Sequence, residues 1–77
     1  MVGTYSVGGG PYSICFDGGN IWVTNWFSEN VTKLRASDGS MVGTYGTGDG
    51  PQDICFDGEN IWVNNYNSDN VTYILVN

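Results

Sequence analysis

The sequence predicts an all-β fold: two four-stranded antiparallel sheets of the kind that form the blades of a β-propeller. Three observations carry this. The chain contains one unit twice, since residues 1–37 align with 41–77 without a gap and 22 of the 37 positions are identical. The period of 40 residues suits one four-stranded blade and is too long for most leucine-rich repeats, while ankyrin, TPR and HEAT units are helical. Short runs rich in Val, Ile, Thr, Tyr and Trp alternate with Gly, Asn, Asp and Ser, the pattern of strands and turns. The domain therefore divides into repeats 1–40 and 41–77.

Within the first repeat the first strand runs from about Tyr12 to Phe16 and turns through Asp17, Gly18 and Gly19. Asp-Gly between β-rich runs is a hairpin signal, because Gly accepts the positive φ of primed turns. The second strand is Asn20 to Asn25, and a looser loop, Trp26 to Glu29, leads to the third, Asn30 to about Ala36. Asp38 and Gly39 turn the chain into a fourth strand, Met41 to Thr47, and Gly48 to Pro51 carry it into the next repeat. Pro51 excludes a ladder hydrogen bond at its position. Apolar residues stand side by side in Ile14-Cys15-Phe16 and Ile21-Trp22-Val23, so both faces of these strands need cover, as in stacked sheets. Ser13 and Cys15 share one face and Ile14 and Phe16 the other, which lets bulky residues of one sheet meet small ones of its neighbour.

Trp22, Val23, Thr24 and Asn25, then Asn30 to Leu34 followed by Ser37, Asp38 and Gly39, together with Gly10, Pro11 and Ile14 to Gly18, resemble the repeats of bacterial YVTN-type β-propellers. NHL and virginiamycin B lyase-like propellers share the general look. The resemblance covers both repeats and implies a ring of stacked blades. Such propellers usually carry about seven blades in one chain, whereas this chain has two repeats. The lyase-like members imply a metal-assisted reaction with a catalytic His, and this chain has no His to receive that role.

Two blades cannot close a ring, and stacked repeats need at least about three units for a continuous core. A core of 77 residues is marginal without a further staple. The strand inventory shows how the deficit is met. Residues 12–47 supply four strands, residues 52–77 only three, and Met1 to Val7 a strand with no blade of its own. The expectation is that residues 1–7 complete the last blade of a neighbouring chain by β-augmentation, with Val2, Thr4 and Tyr5 against Tyr73, Ile74, Leu75 and Val76. Replacement of Lys33 and Arg35 by Tyr73 and Leu75 in the second repeat removes both basic residues from the accepting edge. Head-to-tail contact of this kind closes into a cyclic ring or grows without end. Three chains give six blades and four give eight. From a seven-bladed shape of about 51° per blade, about 45° is a smaller change than about 60°, which favours a homotetramer over a homotrimer.

Composition bounds the chemistry. A net charge of −6, with Lys33 and Arg35 the only basic residues, argues against nucleic acid and anionic membrane partners, whose binding depends on Lys and Arg. No apolar run is long enough to span a bilayer as a helix, and localisation is unmarked. Cys15 and Cys55 occupy equivalent places in neighbouring sheets, about 10 Å apart, beyond disulfide reach of roughly 7 Å. They are expected to be free, buried thiols. Without His, and with no base near either Cys, neither thiol is activated for nucleophilic work, so no catalytic residue and no cofactor is assigned. Asp49 and Asp53 are the close carboxylate pair particular to one repeat, but no calcium loop is present and no metal is expected. Asn30 and Asn70 begin N-x-T triplets that reflect the repeat itself.

Differences between the repeats gather at one end of the strands: Gly9 against Asp49, Tyr12 against Gln52, Ser13 against Asp53, Thr24 against Asn64, Trp26 against Tyr66, Phe27 against Asn67. Aromatic rings beside amides and carboxylates suit sugars, whose apolar faces stack on rings while their hydroxyls need fixed partners. The candidate ligand-binding residues are Trp26, Tyr66, Asn25, Asn65, Gln52 and Asp53. Two functions follow as expectations: a non-catalytic, self-assembling propeller fragment, natural or engineered, or a multivalent glycan-binding propeller using the variable end.

Overall fold

The computed structural model describes residues 3–76. Seven strands follow one another: β1 (Pro11–Phe16), β2 (Asn20–Asn25), β3 (Asn30–Arg35), β4 (Met41–Gly46), β5 (Pro51–Phe56), β6 (Asn60–Asn65) and β7 (Asn70–Leu75). All pairings are antiparallel, in two meanders, β1-β2-β3-β4 and β5-β6-β7. The four-plus-three inventory is the one expected, with strand ends shifted by a single residue. Pro11 and Pro51 head their strands, where the missing N–H costs least. The expected N-terminal strand is absent from its described part, since residues 3–7 carry no strand.

Both first hairpins are held by one carboxylate each. Asp17 Oδ1 accepts from the amides of Gly19 (2.9 Å) and Asn20 (2.7 Å), and its Oδ2 accepts from the indole Nε1 of Trp22 (2.7 Å). Gly18 takes a φ of 103°, open to glycine without a Cβ penalty. Asp57 repeats the arrangement with Glu59, Asn60 and Trp62. The aspartate is thus both turn former and anchor for the tryptophan five residues on. Burial pushes the Asp17 carboxyl up, but the hydrogen bonds from Trp22, Gly19 and Asn20 and the charge of Lys33 outweigh it and hold the pKa below its usual value.

A bulge follows the start of β1, where Pro11 faces Asn25 but Ile14 faces Val23, so that Tyr12 and Ser13 stand against Thr24, two residues against one. The same shift recurs between Pro51 and Ile54. In the first sheet the Thr24 hydroxyl serves it by accepting from the Ser13 amide at 2.9 Å, while donating to the Gln52 carbonyl of β5 at 2.7 Å. One side chain therefore satisfies the bulge and ties the sheets together.

The sheets meet through unlike faces. From the first sheet come Trp22 and Val31, with Cys15 at their side; from the second come Ile54, Ile61, Val63 and Ile74, with Phe56 and Val76. Register explains the division. Cys15, Trp22 and Lys33 are aligned on one face of the first sheet, and Ile14, Val23 and Thr32 on the other. In the second sheet the Ile54 and Val63 face is the one turned inward. Each fully buried large apolar side chain contributes roughly 1.5–3 kcal/mol. Lys33 reaches into this contact, with Nζ 4.9 Å from the Trp22 ring centroid and donating to the Val76 carbonyl at 3.3 Å, its stem covering apolar surface.

Asp17→Ala leaves the indole N–H of fully buried Trp22 without its partner, and is expected to cost about 1–3 kcal/mol. In the single chain Asp57→Ala should cost less, because Trp62 is exposed to solvent there. Urea denaturation of both variants at dilutions where single chains are measured checks the order, and equal losses would disprove the anchoring role. A carboxyl with a depressed folded pKa stabilises above its unfolded value and loses that contribution as pH falls through the folded one. Wild-type stability should therefore fall below about pH 4, with a shallower fall in Asp17→Ala.

Candidate functional site

At the end of the strands where the repeats differ, three aromatic rings form a row. Trp26 lies 6.1 Å from Tyr12 and 6.4 Å from Tyr66, measured between centroids, with tilts of 32° and 35°. Trp26 and Tyr66 hold equivalent positions after β2 and β6, so the row runs from one sheet to the next. Gly10, Pro11, Phe27 and Gln52 complete a shallow hollow beside Tyr12 and Trp26. Tyr12 and Tyr66 are exposed. The loops that carry Trp26 and Tyr66 are set by backbone bonds: the Trp26 amide donates to the Gly10 carbonyl at 2.8 Å and the Tyr66 amide to Gly50 at 2.9 Å.

Of the six residues expected to bind a ligand, Trp26, Tyr66 and Gln52 fall in or beside this row. Asn25 and Asn65 do not. Both are buried, and their Nδ2 groups are spent inside their own sheets, while the buried Oδ1 atoms have no partner among the described residues. Asn25 Nδ2 donates to Asn30 Oδ1 (2.8 Å) and Thr32 Oγ1 (2.9 Å), and Asn65 Nδ2 to Asn70 Oδ1 (3.0 Å) and Thr72 Oγ1 (2.7 Å). The repeated N-V-T triplet thus supplies two acceptors on one strand face for one buried amide, a role the sequence alone did not reveal. Gly8 and Gly48 recur because a Cβ there would stand 2.7–2.8 Å from these amide groups. Asp53 is also elsewhere, in a hollow shared with Cys55, Trp62, Asn64 and Val71 on the outer face of the second sheet.

That outer face is bare. Val71 is 60% exposed where its counterpart Val31 is 0%, and Trp62 is 38% exposed where Trp22 is 0%. Cys55 is exposed too, so the expectation of two buried thiols holds for neither fully: Cys15 is half-buried, and both are free. Burial, helped by the neighbouring Cys55 and Asp17, pushes the Cys15 thiol up to about 11, far from a reactive thiolate. The opposite face of the first sheet is open only along β1, where Ile14 and Phe16 are exposed, while Val23, Leu34 and Thr32 are buried. A groove of about 600 Å³ runs over it between Tyr5 and Val7 on one side and Ile14, Val23 and Leu34 on the other.

Among the expected interface residues, Val2 lies outside the described residues. Thr4 and Tyr5 are exposed and belong to no ladder. Tyr73 and Leu75 are exposed, whereas Ile74 is buried in the core and Val76 packs against it. The last two serve the contact within the chain, and what β7 offers outward is its backbone edge. Lys33, on the inner strand β3, bridges the two sheets. Asp49 lies beside Glu29 of the first repeat. A hydrogen bond shared with Asp49, and its charge, raise the Glu29 pKa. No group of three or more metal-ligating side chains occurs among the described residues.

Comparison with family models, with curated proteins and with solved structures yields no match to this chain.

Asn25→Ala removes two hydrogen bonds from the interior and should lower stability by about 1–3 kcal/mol. Thermal or urea unfolding checks this, and an unchanged midpoint would return Asn25 to the list of surface candidates.

Proposed function

We propose that the chain is a non-catalytic, self-assembling module: two blades of a β-propeller whose ring is completed by further copies, four chains being favoured over three. One observation carries this reading. In the first sheet β3 pairs with β4, Thr32 facing Thr44 and Val31 facing Tyr45; among the described residues its counterpart β7 pairs with β6 alone. Gly3, Thr4 and Tyr5 repeat Gly43, Thr44 and Tyr45 of β4 and have no ladder partner among the described residues. A free edge and a spare strand of the right sequence thus belong to the same molecule.

Translated by one repeat, the pairing places Thr4 of one copy opposite Thr72 of the next, and Tyr5 opposite Val71. Tyr5 then meets Trp62 as Tyr45 meets Trp22 at 5.5 Å. Such main-chain addition is an established mode of association, and it covers an edge that would otherwise invite aggregation.

A second reading is favoured by the aromatic row. Three tilted rings at the exposed end, beside the Gln52 amide and remote from the basic residues, suit an uncharged sugar chain better than an anionic ligand. In a ring of copies the row would recur at every junction, making the protein multivalent.

Native mass spectrometry of the purified chain is expected to give one discrete mass, of four or three copies; a monomer or an unlimited ladder would disprove closure. Deletion of residues 1–7 should dissociate or aggregate the oligomer, and an unchanged mass would remove strand exchange. On a glycan array, Trp26→Ala with Tyr66→Ala should abolish any binding while leaving the oligomer intact. Binding that survives the double change would exclude the aromatic row.

A further inference from the structure

The contact between the two sheets of one chain is itself a pattern for a contact between chains. One sheet presents Trp22 and Val31, the other receives them on Ile54, Ile61 and Val63. The second sheet carries an unused copy of the presenting face in Trp62 and Val71, and the first an unused copy of the receiving face in Ile14, Ile21 and Val23. We infer that these two unused faces seat on each other in successive copies, Trp62 and Val71 of one chain against Ile14, Ile21 and Val23 of the next. The partner is a second copy of this chain, and the inference rests on the self-assembly reading given above.

The apolar residues of the receiving face keep their character between repeats: Ile54 corresponds to Ile14, Ile61 to Ile21, Val63 to Val23 and Phe56 to Phe16. Val23 is buried like Val63, but the β1 residues Ile14 and Phe16 are exposed. Ile14 is 66% exposed and Ile54 8%, a difference that a covering sheet explains and side-chain chemistry does not.

The polar cross-sheet bonds give an independent argument. Within the chain two side chains donate from the presenting face to carbonyls of the receiving sheet, Thr24 to Gln52 and Lys33 to Val76. At the same two places the second sheet has Asn64 and Tyr73. Both residue types differ from those they replace, yet both retain a donor, an amide N–H₂ and a phenol O–H. Their acceptors in the next copy are the carbonyls of Tyr12 and Ala36. Tyr73 also removes the positive charge of Lys33 without losing reach.

The neighbour that supplies this face is the one whose β7 edge would accept residues 3–5, so a single junction uses both contacts. In the isolated chain Tyr5 and Val7 line the groove over the receiving face, with Tyr5 packed on Gly39. Departure of this segment to the neighbour's edge clears the face for the neighbour's sheet. Strand transfer and face packing are therefore coupled.

The test combines a variant with a thiol footprint. Ile14→Asp places a carboxylate where the isolated chain is open to water but the junction is dry, and lies on β1, away from the exchanged edge. Self-association measured by sedimentation should weaken about a hundredfold or more, with the urea midpoint of the dissociated chain unchanged. In the wild-type oligomer Cys55 should resist a maleimide reagent as Cys15 does, and become reactive on dissociation. An oligomer in which Cys55 reacts freely, or in which Ile14→Asp assembles like wild type, would overturn the face contact while leaving strand exchange standing. A wild-type chain that is monomeric at all concentrations would overturn both.

Discussion

The contact between the Trp22 and Val31 face and the Ile54, Ile61 and Val63 face governs the rest of the molecule. It joins unlike surfaces of two sheets built from the same sequence unit. A like-to-like contact would have let two repeats bury both inner faces and be complete. An unlike contact between repeated units leaves one face of each kind unused, however many units are stacked, unless the stack closes on itself. The exposed Ile14, Phe16, Trp62 and Val71 follow from that geometry rather than from any defect of the core.

The polar residues that recur between the repeats act within a sheet, the polar side chains that cross between sheets differ, and the apolar residues of the contact itself recur. Asp17 with Trp22, and Asn25 with Asn30 and Thr32, reappear as Asp57 with Trp62, and Asn65 with Asn70 and Thr72. These groups fix turns and strand pairs that every unit needs, so both copies keep them. Thr24 and Lys33 cross from one sheet to the other, and their counterparts Asn64 and Tyr73 are of different type. A contact inside a chain and one between chains place different demands on the side chains that make them, since only the second must form by association and bear exposure beforehand.

Much of the fold was legible in the sequence because period and turn chemistry are local signals. The Asp-Gly hairpins and the four-plus-three strand inventory follow from residues close in the chain, and the free state of the thiols follows from the repeat spacing. The candidate site was legible only in its aromatic part. Asn25 and Asn65 looked available because asparagine is usually exposed, and nothing local reveals that Thr32 and Thr72 stand ready across the sheet to accept their amides. Asp53 was misplaced for a related reason. The bulge after Pro51 changes which face the following residues occupy, and a one-residue slip sends a side chain to the opposite side of a sheet. The burial of Lys33 was not legible either, since it depends on a tryptophan ring and a carbonyl from distant parts of the chain.

Marginal size gives these bare surfaces their consequence. A chain of 77 residues buries only about 60–65% of the surface its unfolded form exposes, and the exposed faces withhold several large apolar side chains from the core. Covering them would add the missing burial without adding sequence. The proposed ring has two kinds of junction in alternation, one inside each chain and one between chains, built on the same apolar pattern. Its blade number is then set by the mean angle of the two, so that substitutions confined to the intermolecular junction could shift the ring between six and eight blades while the chain's own sheet packing stays as it is.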